Sequence, residues 1–285
     1  MQTQIECIPC FVRQASEAIA LVVEEPARRE PLLRKLLRAI AAAGWQGSPP
    51  AIGQQIHRII RQELGCADPY RALKDRMNRA ALDLLPGLRA AMPLQPDPRE
   101  AAVRVAIAGN LLDAGAKTQI APGDLPRHMQ TIWTRPLRGD TAALFRAAAE
   151  SGRILYLTDN AGEIVFDRVL LEMLPPGKTT VGVRGAAVIN DATPADAAAA
   201  GLSEIAPVIN NGSDAPGTIL EDCSEEFRAA FDRSDLVIAK GQGNYETLSE
   251  AAKRIFFLFT VKCPVISAHV GEPAGSMVVK ERWPA

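Results

Sequence analysis

The feature that most constrains this chain is a change of hydrophobic period near Pro136. Before it, apolar residues recur every three or four positions: Phe11, Ala15, Ala18, Ile19 and Val22; Leu32, Leu33, Leu36, Leu37 and Ile40; Ile52, Ile56, Ile59, Ile60 and Leu64. That spacing predicts amphipathic helices. Further helices are expected over 70–85, ending before Pro86-Gly87, and over 98–113. Behind Pro136, short apolar runs at 153–157, 179–183, 204–209, 236–239, 255–261 and 277–279 alternate with helical stretches such as 161–174, 193–200 and 245–253. Strands alternating with helices predict an α/β fold with a mainly parallel sheet wrapped by helices. The expected organisation is therefore an all-helical region over 1–137 followed by an α/β domain over 138–285.

Sheets of this kind bind ligands at the carboxyl ends of their strands. Four such ends are polar: Thr158-Asp159-Asn160-Ala161-Gly162-Glu163, Ile189-Asn190-Asp191, Asn210-Asn211-Gly212-Ser213-Asp214 and Lys240-Gly241-Gln242-Gly243-Asn244. Any one Asn/Asp pair is explained by turn formation or helix capping. Four polar ends on one edge, three of them with Asn/Asp pairs, form an oxygen-rich set suited to a divalent cation. In the fourth segment, Gly241 and Gly243 would let backbone N–H groups approach an anion at a helix start, with Lys240 adding full charge. Lys262 follows another expected strand and is either a second cation at that edge or a solvated strand-end lysine. A metal beside a phosphate cradle suggests phosphoryl hydrolysis or transfer.

Competing chemistries find less support. With 32 Lys+Arg against 33 Asp+Glu, the net charge of −1 offers no general field for nucleic acid or an acidic membrane. No apolar stretch is long enough to span a bilayer, and residues 1–6 lack signal-peptide character, so a cytoplasmic location is expected. Of the three histidines, His57 and His128 lie away from strand ends, and His269 is read as structural. Five cysteines are an odd number, unlike a fully paired disulfide framework. Cys7-Ile8-Pro9-Cys10 could pack, hold half a metal site with Cys66 as a further partner, or act as a redox pair. It reads as peripheral to catalysis.

The segments Asp159-Asn160-Ala161-Gly162-Glu163-Ile164-Val165-Phe166-Asp167, Val188-Ile189-Asn190-Asp191-Ala192-Thr193, Lys240-Gly241-Gln242-Gly243-Asn244-Tyr245-Glu246-Thr247-Leu248 and Val261-Lys262-Cys263-Pro264 resemble, in order, the motifs of the metal-dependent damage-control phosphatases. That superfamily includes a proposed acidic-residue methyltransferase. Cys7-x-x-Cys10, Asp68-Pro69-Tyr70 and Ala108-Gly109-Asn110-Leu111-Leu112-Asp113 resemble its stand-alone prokaryotic branch. The resemblance implies a Rossmann-like α/β/α core bearing a divalent metal such as Mn, Co, Ni or Mg. It makes Asp159, Asn160 and Asp191 the metal ligands. Asn110 and Asp113 would approach from the helical side, and Lys240, Gly241, Asn244 and Lys262 would lie near the phosphate. Family members hydrolyse small phosphorylated metabolites such as sugar phosphates.

The expected activity is metal-assisted hydrolysis of a small phosphomonoester, without nucleic-acid or membrane partners. Asp159, Lys240, Lys262, Asn110 and Asp113 are the catalytic candidates. Gly241, Gly243, Asn244 and Glu163 are the substrate-side candidates, Glu163 either orienting a ligand or supplying charge to a helix start. An activated water is the first choice of attacking group, with Asp159 as a covalent nucleophile the alternative. Two other functions compete: an S-adenosylmethionine-dependent carboxyl methyltransferase, disfavoured by the single glycine in the turn after the first expected strand, and a non-catalytic metabolite-binding protein.

Overall fold

A computed structural model describes residues 1–109 and 131–283 of the chain. Its first part is helical: α1 (Ile8–Val22), α2 (Pro26–Ala42), α3 (Pro49–Leu64), α4 (Arg71–Ala91) and α5 (Pro98–Ala108). Proline stands in the first turn of α1, α2, α3 and α5, where its missing N–H would have no helical partner anyway. The expectation that α4 stops before Pro86 is corrected, because the helix continues through it to Ala91. Proline costs the helix one hydrogen bond, whereas Leu85, Leu88 and Met92 on either side of it are buried in a shared core.

The helices divide by the core they join. Phe11, Ile19, Leu36, Ile56 and Ile60 gather α1–α3 around an apolar cluster of their own. Ala81 and Leu85 of α4, with Val103, Val105 and Ile107 of α5, instead enter the cluster lining one face of the sheet.

That sheet comprises β1 (Leu137–Gly139), β2 (Ile154–Leu157), β3 (Thr179–Val183), β4 (Val208–Asn210), β5 (Leu236–Lys240), β6 (Ile255–Thr260) and β7 (Met277–Arg282), in the order β1-β7-β6-β5-β2-β3-β4. All neighbours are parallel except β6 and β7. The helices between them are α6 (Thr141–Glu150), α7 (Glu163–Leu171), α8 (Pro194–Ala199), α9 (Glu225–Arg233), α10 (Gly241–Leu248) and α11 (Pro264–Val270). Side chains alternate between faces along each strand: Ile154 and Tyr156 meet α5 and α7, while Leu155 and Leu157 meet Phe227 and Phe257 on the other side. This is the expected helical region followed by a mostly parallel α/β/α layer structure. The three-residue edge strand β1 is too short to leave a periodic signal. No helix among the described residues is long and apolar enough to cross a membrane.

From β2 the chain builds outward through β3 and β4, then returns to place β5 and β6 on the opposite side. The crevice between the carboxyl ends of β2 and β5 is therefore a switch point, where parallel sheets bind ligands. Two segments predicted from the sequence meet there: the turn after β2, and the glycines after β5. The latter form the first turn of α10, which begins at Gly241 and not at Tyr245.

Candidate active site at the carboxyl edge of the sheet

Backbone hydrogen bonds bring the acidic loops together. After β2, Ala161 N–H donates to Asn190 O (2.8 Å) and Ala192 N–H donates to Asp159 O (2.8 Å). Asn160 and Asp191 form an isolated antiparallel bridge. Asp159, Asn160 and Asp191 thus converge although 31 positions separate the outer two. Ile189 adopts φ 45° in this junction; left-handed backbone at a branched residue costs about 1–3 kcal/mol, and the pairing on either side holds it.

A cleft of about 400 Å³ opens over these residues, between the sheet edge and helices α1 and α3. Asp159, Asn160, Ile189, Asn190 and Asp191 line its floor, and Gln242, Gly243, Glu246 and Lys262 line one wall. A separate depression of about 550 Å³ around Arg99 and Phe145 shares no residue with it and presents none of these motifs. The Asp159 carboxyl is pushed well above the usual carboxylate range, first by burial and then by repulsion from Glu163 and Asp191, while Lys262 and Arg184 pull the other way. Such a cluster calls for added positive charge.

The donor set fits a divalent metal. Asn160 Nδ2 donates to Asp159 Oδ2 (2.7 Å) and Glu163 Oε2 (3.2 Å), so Oδ1 is the oxygen that side chain has to offer. Two carboxylates and an amide oxygen are hard ligands suited to a cation that keeps water or a phosphate oxygen in its remaining positions. No group of three His, Cys, Asp or Glu among the described residues is arranged to hold a metal. The candidate set thus depends on the amide.

Glycine is required beside this cluster. Gly241 has φ 80°, and a Cβ there would lie 2.1 Å from the Asp159 carboxyl carbon. Gly162, at φ 77°, donates its N–H to Asn78 Oδ1 of α4 at 2.7 Å. Asn78 Nδ2 in turn donates to Asp196, which Lys74 also holds at 3.0 Å. The β2 turn is thereby fastened to α4.

Other sequence candidates are redistributed. Lys240, read as a phosphate contact, is fully buried: Nζ donates to Ala106 O (2.6 Å), Glu163 Oε1 (2.6 Å) and Asp167 Oδ1 (2.7 Å), which uses all three of its donors. Glu163 is equally buried, stands in the first turn of α7 and accepts from Asn160 Nδ2, and it is not among the residues lining the cleft. Asn244, also read as a phosphate contact, is inaccessible: its amide ties Thr158 O to Lys240 O, and its Oδ1 accepts from Thr218 Oγ1. Gly243 and Lys262 do face the cleft. Asn110, Asp113 and His128 lie outside the described residues. The third polar strand end does not join the cluster, because Asp214 pairs with Arg58 and Arg61 of α3. His269 Nδ1 hydrogen-bonds Tyr245 Oη at 2.7 Å, in keeping with a structural role.

Sequence reasoning missed two groups. Arg184 follows β3, is 2% exposed, and donates from Nε to Asp191 Oδ2 at 2.7 Å. Its Nη1 reaches Thr218 and Asn244, while Nη2 has no hydrogen-bond partner among the described residues. It lies one residue beyond an apolar run, a signal that the search for oxygen ligands passed over. The other is the placement of the cysteines: Cys7, Cys10 and Cys263 all line the cleft, and Cys66 does not.

Comparisons with known proteins bear on the family and the fold. The sequence model of the damage-control phosphatase ARMT1-like domain matches residues 3–278. A protein named damage-control phosphatase from Pyrococcus horikoshii is 32% identical, over 98% of this chain and 97% of its own. Another from Archaeoglobus fulgidus is 36% identical over 80% and 81%. An uncharacterized protein of Methanocaldococcus jannaschii is 34% identical over 97% and 94%. The crystal structure of a DUF89 family protein from Pyrococcus horikoshii superimposes with a TM-score of 0.89 at 30% identity, covering 99% of both chains.

Proposed function

The chain belongs to the damage-control phosphatase ARMT1-like domain family, and on that premise we propose that it is a divalent-metal-dependent phosphatase of small phosphorylated metabolites. The observation that carries the reading is the convergence of Asp159, Asn160 and Asp191 on the floor of one cleft, with Lys262 at its wall. The names of the Pyrococcus and Archaeoglobus relatives support the hydrolase class.

Asp159, Asn160 and Asp191 would hold the cation. When bound, it would neutralise phosphate oxygens and favour attack on phosphorus. Each surrounding side chain then has a task. Arg184 fixes the Asp191 carboxylate from behind. Glu163, itself anchored by Lys240, sets the rotation of the Asn160 amide. Lys262 supplies positive charge on the solvent side, where transferring phosphoryl oxygens gain from it. Gly243 contributes backbone to the cleft wall without a side chain in the way. Phe11 and Gln14 of α1 face the same space and would meet the organic part of the substrate. A cleft of about 400 Å³ suits a small metabolite and not a macromolecular ester.

The test is hydrolysis of phosphomonoesters, including sugar phosphates, across a panel of Mn, Co, Ni and Mg. EDTA should abolish turnover, one of these cations should restore it, and Asp159→Ala should lower it at least 100-fold while the protein stays folded. Turnover indifferent to chelation, or an Asp159→Ala protein as active as wild type, overturns the assignment.

A further inference from the structure

The cleft wall contributed by α1 carries two thiols that the hydrolytic reading leaves without a task. Cys7 caps α1 with helical backbone, φ −76° and ψ −25°, and Cys10 lies three residues on. Helix geometry separates such Cα atoms by about 5 Å, inside the roughly 4.4–6.8 Å window in which a disulfide closes without moving the backbone. Residues three apart also share a helix face, and both thiols line the cleft that holds Asp159, Asn160 and Asp191. All five cysteines are free thiols.

We propose that Cys7 and Cys10 form a reactive dithiol in the wall of this cleft, a modification site that takes low-molecular-weight disulfides and closes to a Cys7–Cys10 disulfide. Cys10 is the attacking group. Its Sγ accepts from Arg13 Nη2 at 3.7 Å on the turn that faces the cleft. Burial raises the Cys7 thiol, as do Glu246, Cys263 and Cys10 nearby, so Cys7 is held protonated until it is called on.

In the first step the Cys10 thiolate forms a bond to one sulfur of the reagent. The S–S bond of the reagent breaks, and the departing thiolate takes up the proton that Cys10 released. Cys7 then loses its proton and attacks the Cys10 sulfur of the mixed disulfide, and the second thiolate leaves with that proton. Two protein thiols are oxidised and one disulfide is reduced to two thiols. While it lasts, the adduct occupies the cleft; ring closure expels it and redraws the wall next to Phe11. The expected loss of turnover rests on the phosphatase reading, whereas the chemistry of the dithiol does not.

The test treats the reduced, full-length protein with glutathione disulfide, traps remaining thiols with iodoacetamide, and maps peptides after trypsin. Residues 1–13 contain Cys7 and Cys10 and no internal Lys or Arg, and Cys263 lies on a different peptide. The expected result is a 1–13 peptide lighter by two hydrogens, forming at least tenfold faster than the adduct on exposed Cys66. Phosphatase turnover should fall at least fivefold in step and return with dithiothreitol, whereas Cys7→Ser should retain the glutathione adduct without closing. Reaction no faster than at Cys66, a lasting adduct on the wild-type pair, or a cross-link to Cys263 overturns the dithiol. A closed disulfide with undiminished turnover overturns its influence on the cleft. If the untreated protein hydrolyses no phosphomonoester, the function proposal fails and the peptide masses still decide this one.

Discussion

Replacing Lys240 with methionine distinguishes a buried strut from a phosphate contact. The ammonium is wholly enclosed and bonded to Glu163, Asp167 and the Ala106 carbonyl. Truncating one partner of a buried ion pair leaves uncompensated charge and costs about 3–5 kcal/mol. At about 2–4 °C per kcal/mol for a chain of this size, Lys240→Met should lower the melting temperature by about 6–20 °C. The loss should depend on pH. Burial already raises the Glu163 and Asp167 carboxyls; without the cation they rise further and must be protonated in the folded state. The deficit therefore grows as pH climbs above the ordinary carboxylate range, and it is smaller at pH 5.5 than at pH 8. A Lys240→Met/Glu163→Gln/Asp167→Asn protein, which carries no buried charge there, should recover at least half of the lost stability. Thermal melts of the three proteins at both pH values provide the measurement. A Lys240→Met protein that melts within about 2 °C of wild type at both, and shows only a raised KM, would refute the strut and restore the phosphate contact.

Arg184→Gln removes the clamp on Asp191. Groups that orient a ligating carboxylate typically account for about 10–100-fold in metal affinity, so calorimetric titration with Mn²⁺ should show a loss of that size, and unchanged affinity in a folded variant would exclude the role. Glu246 presents the reverse case, since burial pushes its carboxyl up to about 7. A raised acid favours the folded state while protonated and weakens it as pH rises from about 4.5 through 7. Glu246→Gln should therefore match wild type at pH 4.5 and exceed it at pH 8, by up to about 3 kcal/mol; a pH-independent difference in urea melts would contradict this.

The strand ends at Asp159 and Gly241 could be found from the sequence because each follows an apolar run, and the polarity of a strand-to-helix turn survives in one dimension; Asp191, deep in the loop after β3, is marked by its own short apolar run Val188-Ile189. Direction did not survive. Lys240 looks the same at a strand terminus whether it meets a ligand or turns inward, and the clue lay elsewhere: Glu163 and Asp167 share one face of α7, and a buried acidic face needs a cation. Asn244 misled for the same reason, since its amide is consumed by the backbone of two strands. Pro86 misled because a local penalty was outweighed by contacts with residues distant in the chain. The grouping of Cys7 with Cys263 joins the first helix to the last parallel strand of the core, a pairing that no spacing encodes.

The split between the two helical groups bears on how such proteins diversify. Helices α4 and α5 share the core of the sheet, and Asn78 of α4 holds the very turn that carries Asp159 and Asn160; mutations there reach the candidate ligands. Helices α1–α3 pack around their own cluster and contribute Phe11, Gln14, Pro50 and Gly53 to the opposite side of the cleft. Segmental exchange of residues 8–64 between relatives would therefore change the wall facing Asp159 while keeping the hold of Asn78 on its turn, with Arg58 and Arg61 the positions to retain.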